Sequence, residues 1–140
     1  MTIIRSNPVI DYLDDQTCSG LAISQLVEAG NFLILSGVAP VRMSDGKPRL
    51  LSPGDYRAQL RAVIDIISLS LAAAGASLTD VVSTTVYVRE IADYTSNVDV
   101  LHTAFGAHLP ASTLVGASAL FFEEQRVEVT ATAYRSTSAR

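Results

Sequence analysis

Pro110-Ala111-Ser112-Thr113-Leu114-Val115-Gly116-Ala117, followed by Val127-Glu128-Val129-Thr130-Ala131-Thr132-Ala133, decides how this chain folds. The second run alternates strictly. Val127, Val129, Ala131 and Ala133 fall on one side of an extended chain; Arg126, Glu128, Thr130 and Thr132 fall on the other. That is the pattern of a strand with one buried face. The spacing predicts two closing strands, about residues 112–120 and 126–135, with Phe121 and Phe122 at the turn between them.

Working back from these strands, Asp93 opens a helix carrying Tyr94, Val98, Leu101 and Phe105 at helical spacing, and Gly106 closes it. Residues 81–89 are rich in β-branched side chains and read as a strand. Before them lies the clearest helix. Ser52 is placed to cap it, Pro53 suits its first position and Asp55 suits the positive end of its dipole. Leu60, Val63, Ile64, Ile67 and Leu71 make one apolar stripe, and Gly75 supplies the stop.

Residues 23–28 and 32–37 are apolar runs joined through Gly30-Asn31, a hairpin signal because glycine accepts the positive φ of a tight turn. Asp45-Gly46 marks a turn within a long loop, residues 38–51. Residues 7–20 read as polar and irregular, with Asp11, Asp14 and Asp15 solvated, and residues 3–5 as a short edge strand. The order is three strands, helix, strand, helix and two strands. Two helices with one apolar stripe each cover one face of such a sheet, giving an α+β sandwich whose other face must find cover, with self-association as the natural remedy.

Composition bounds the function. At 140 residues, without repeat or linker, the chain reads as one domain, long enough to bury about two-thirds of its unfolded surface. Apolar residues make up 49% and charged residues 17%, with a mean hydropathy of +0.32, which points to apolar surface held in a subunit interface. No run approaches the ~20 apolar residues of a membrane span, and the first residues lack the pattern of a secretory signal. A lone Cys18 makes no internal disulfide and suits a reducing cytosol. A net charge of −4 with scattered basic residues argues against a nucleic-acid binder.

The closing runs resemble the signature hairpin of the RidA/YjgF family of enamine and imine deaminases. The resemblance covers nearly the whole chain. It runs through Ser24-Gln25, Gly30-Asn31-Phe32-Leu33-Ile34-Leu35-Ser36-Gly37, residues 72–82, Thr84-Thr85-Val86-Tyr87-Val88, Asp93-Tyr94, Phe105-Gly106 and Val127-Glu128-Val129. It implies a six-stranded mixed sheet with two helices on one face, a chorismate-mutase-like fold, and homotrimers with clefts between subunits. It also implies a small-molecule ligand, with no cofactor and no metal.

For the site, the resemblance implies Glu128 as the group that positions or activates water, with Ser36 beside it. Three positions differ. Ser112 stands where the deaminases carry an arginine for the substrate carboxylate, Leu114 where many carry cysteine, and Ile23 where a tyrosine is common. Losing a bidentate arginine contact costs on the order of 1.5–3 kcal/mol of binding. Ile23, Ser36, Ser112 and Leu114 are therefore expected to bind a neutral or largely apolar molecule, with Glu128 assisting hydrolysis or tautomerisation. A partly buried carboxylate of raised pKa serves as a general base toward water, whereas an ion pair with Arg126 on the same strand face would lower its pKa.

Two other readings stand beside this one: a non-catalytic ligand-binding module, and an ordinary imine deaminase in which Arg42 or Arg49 replaces the missing anchor. His102 and His108 lack the neighbours of a triad or a metal site and read as structural or surface residues.

Overall fold

A computed structural model of the chain describes residues 2–136. Six strands make one mixed sheet: β1 (Ile3–Ser6), β2 (Leu26–Ala29), β3 (Phe32–Leu35), β6 (Val81–Val88), β7 (Ala111–Gly116) and β8 (Val127–Tyr134), in the order β1-β2-β3-β8-β6-β7. Two further strands, β4 (Val41–Ser44) and β5 (Lys47–Leu50), pair separately. The helices are α1 (Asp15–Gly20), α2 (Tyr56–Ala73), α3 (Ile91–Ser96) and α4 (Val98–Phe105). The α+β class and the six-stranded mixed sheet are as expected from the sequence.

The stripe on α2 is the centre of the core. Leu60, Val63, Ile67 and Leu71 are fully buried against the inward residues of the sheet, among them Leu33, Val86, Val88, Val127 and Val129. Cutting one of these leucines to alanine should cost about 2–5 kcal/mol. Gly75, at φ +76, ends the helix, and the amide of Ala76 returns to the Leu71 carbonyl.

Several local expectations need correction. The closing strands are not a hairpin: β6 lies between them, antiparallel to β8 and parallel to β7. A parallel pair needs a crossover, which α3 and α4 provide. β7 stops at Gly116, after which the Ala117 amide still bonds the Val88 carbonyl at 2.8 Å. The expected second helix is two helices that meet at Asn97, whose φ of −130° and ψ of 22° leave the helical range and whose side chain donates to the Asp93 carbonyl.

Ser52 does not cap α2. It sits in a turn at φ +43, and Asp55 caps instead, accepting from the Ala58 amide at 3.1 Å. The irregular residues 7–20 contain α1, capped by Asp14 through the Thr17 amide at 2.8 Å. The loop at 38–51 is itself a hairpin, with Asp45 and Gly46 both at positive φ in its two-residue turn.

The helices cover one face of the sheet. The other face carries Ile3, Phe32, Ile34 and Tyr134, all nearly half-exposed, beside Thr85, Thr130 and Thr132. Phe32 and Tyr134 stack edge to face at 5.2 Å.

Candidate functional site

Period-two alternation in β8 puts Glu128 on the open face, opposite Tyr87 of β6, while Val127 and Val129 enter the core. Its carboxylate lies against Gly37, and a β-carbon added at Gly37 would collide with Glu128 Oε2. This close approach is what glycine permits there. Glu128 Oε1 receives a long contact from Gln125 Nε2, 3.4 Å, whose other hydrogen goes to the Val127 carbonyl at 3.0 Å.

The expected ion pair with Arg126 does not form. Arg126 precedes β8, and its backbone amide is held by Gln59 Oε1 at 2.6 Å. Among the described residues no ion pair involves Glu128; the three present are Arg42–Asp11, Arg57–Asp99 and Arg135–Glu28.

Ser36 follows β3, and its hydroxyl donates to the Ser24 carbonyl at 2.6 Å. Its proton is thus committed to the hairpin, leaving its oxygen to accept. Ile23, Ser36, Gly37 and Tyr12 together line a hollow of about 10 Å³, room for one water. Through Gly37 this hollow adjoins the Glu128 carboxylate.

Tyr12 is the residue that sequence reasoning missed. It is buried, and its hydroxyl accepts from the Ala39 amide at 3.0 Å. Burial first, and the Glu128 charge among the lesser causes, push its pKa up to about 12. The phenol therefore keeps its proton at neutral pH and has it to donate. The only sequence signal was an aromatic ring in an otherwise polar run.

Ser112 and Leu114 lie elsewhere. They pair with Thr84 and Val86, which point toward the helices, so both side chains are on the opposite face of the sheet from Glu128. Thr84 Oγ1 donates to Ser112 Oγ at 3.0 Å, and Leu114 packs against the core. Ser112 also borders an apolar cavity of about 210 Å³ between α2, α4 and the sheet, with His102 on its lining. The larger hollow is thus not at the carboxylate. One protomer brings together Glu128, Ser36 and Ile23, and separately Ser112 and Leu114; it does not unite the two groups.

The arginines proposed as substitutes sit on the β4–β5 hairpin, not in a loose loop. Arg42 is bound to Asp11 at 2.7 Å, so Asp11 is not simply solvated; Arg49 lies directly opposite Arg42 and is exposed. His108 is exposed in the turn after α4. Among the described residues no group of three or more His, Cys, Asp or Glu is arranged to hold a metal ion. Nor is any helix there long and apolar enough to cross a membrane.

Comparison with known proteins agrees with this architecture. Residues 20–135 match the family model described as Endoribonuclease L-PSP. A RutC family protein of Pyrococcus horikoshii is 37% identical over 112 residues, covering 80% of this chain and 86% of the relative. The 2-iminobutanoate/2-iminopropanoate deaminase of Escherichia coli K12 is 33% identical over 115 residues, covering 79% and 85%. A crystal structure of Rv2704 from Mycobacterium tuberculosis, a member of the YjgF/YER057c/UK114 family, superimposes with a TM-score of 0.77 at 27% identity, covering 95% and 99% of the two chains. The chain belongs to the Endoribonuclease L-PSP family, the RidA/YjgF family that its sequence resembles.

Proposed function

We propose that this protein works as a homotrimer whose cleft between copies takes a small neutral or largely apolar molecule and promotes its hydrolysis or tautomerisation. Glu128 is the base toward water, with the Tyr12 phenol and the Ser36 oxygen as hydrogen-bonding partners. Ile23 from the carboxylate side, and Ser112 and Leu114 from a neighbouring copy, form the walls. The observation that carries this reading is the Glu128 carboxylate, unpaired and seated against Gly37 on the open face. A carboxylate without a cationic partner has oxygens open to a water or a substrate. The split of the five residues over two sheet faces supports a site completed by a second copy.

The test is Glu128→Gln, assayed on imines, enamines and lactone-like compounds. A loss of about 10²–10⁴-fold in kcat/KM is expected for a general base; unchanged turnover would remove Glu128 from that role. The imine deaminase reading is favoured by the Escherichia coli relative. It requires Arg42 to leave Asp11 or Arg49 to serve alone, so mutation of both arginines without loss of imine hydrolysis would end it. A non-catalytic binding module is favoured by the apolar cavity behind Ser112, and would show ligand-induced thermal stabilisation without consumption of the ligand.

A further inference from the structure

The cavity beneath α4 is a built space, separate from the carboxylate. Leu60, Ile64 and Ile67 of α2 form its floor, Val98, Leu101 and Phe105 of α4 its roof, and Pro110 and Ser112 its end at the edge strand. Its volume of about 210 Å³ exceeds the roughly 150 Å³ of an apolar cavity that accepts benzene. A substituted single ring or a compact bicycle fits such a space.

Its polar groups are few: Thr84 and Ser112 on the sheet side, Tyr94 and His102 on the helix side. Thr84 is buried, and Oγ1 donates to Ser112 Oγ. A hydroxyl can donate once and accept twice, so this bond leaves Ser112 its own proton to give to a ligand oxygen. Among the described residues lining the cavity there is no lysine or arginine. A carboxylate or phosphate entering it would lose its hydration without gaining the permanent counter-charge of a lysine or arginine, which is unfavourable by far more than the loss of one neutral hydrogen bond.

We propose that this cavity binds the ring-sized apolar body of a neutral small molecule, whose carbonyl or hydroxyl oxygen accepts from Ser112 at the Thr84–Ser112 pair. The assignment deepens the proposed function by giving its ligand a chemical class, and it shares only Ser112 with that site. Within one protomer Glu128 lies on the other face of the sheet.

Isothermal titration of the full-length protein with indole, benzyl alcohol and benzoate tests it. Indole and benzyl alcohol should bind at least about tenfold more tightly than benzoate. Val98→Trp enlarges the roof at a position 36% exposed and should weaken both neutral probes by about tenfold or more. Ser112→Ala should weaken benzyl alcohol more than indole, because only the alcohol offers an oxygen. Benzoate bound as tightly as the neutral probes, no binding of either neutral probe, or binding indifferent to Val98→Trp in protein that keeps its wild-type circular dichroism would each overturn the assignment. The separate Glu128→Gln turnover assay keeps a failure here distinct from a failure of the catalytic reading.

Discussion

Gln59 is fully buried on α2 and spends its whole side chain on backbone groups of other segments. Its Nε2 donates to the Ser52 and Glu124 carbonyls at 3.0 Å each, and its Oε1 accepts from the Arg126 amide at 2.6 Å. It therefore ties the entry of α2 to the residues that lead into β8 and Glu128. Gln59→Leu keeps much of the volume and removes three hydrogen bonds, leaving the Arg126 amide without its acceptor while the Ser52 and Glu124 carbonyls keep the Asp55 and Gly54 amides. At about 1 kcal/mol net per hydrogen bond the loss is roughly 3 kcal/mol. With a urea slope of about 1.5 kcal/mol/M, the unfolding midpoint should fall by about 2 M with the slope unchanged. Circular dichroism at one fixed protein concentration measures it, since assembly would make the midpoint concentration-dependent.

Gln59→Glu sharpens the test. It keeps an acceptor for Arg126 but turns a carboxyl toward two carbonyl oxygens. Burial and those oxygens raise the folded pKa of the introduced group above its unfolded value of about 4.3. Stability is then greatest below that value and is lost as pH rises through the folded pKa. A change under about 1 kcal/mol in Gln59→Leu, or a Gln59→Glu variant no more stable at pH 4 than at pH 7, would refute the account of Gln59 as a tie between segments.

Other outcomes follow from the same structure. Gly37→Ala should displace the Glu128 carboxylate, lowering turnover about tenfold or more, while circular dichroism stays native. Tyr12, raised from 10.0 to about 12, gives the fold stability that is complete below pH 10 and lost as pH climbs through 12; alkaline denaturation followed by tyrosine absorbance should show it, and Tyr12→Phe should remove that loss.

The sequence made the fold legible where one pattern dominates. The α2 stripe, the strict alternation of residues 127–133 and the Gly30-Asn31 and Asp45-Gly46 turns all appear where they were placed. Strand pairing was not legible, because alternation assigns a residue to a face and says nothing about which strand lies beside it. Hence β7 and β8 were joined as a hairpin although β6 separates them. The helix break at Asn97 depends on a side chain bonding its own backbone, which spacing alone cannot show. Tyr12 was missed because its partners, Ala39 and Glu128, are remote in sequence and its own segment shows no periodicity.

The strand order has a consequence for how such a protein can change. Between the carboxylate on one side of the sheet and the Thr84–Ser112 pair on the other stands a wall one strand thick, sealed by Val86 and Val88. Within one protomer a substitution in β7 reshapes the apolar cavity and reaches Glu128 only through that wall. Because β7 has a single neighbour in the sheet, such a change disturbs few ladder bonds. What is held and what is done to it can therefore be altered one at a time.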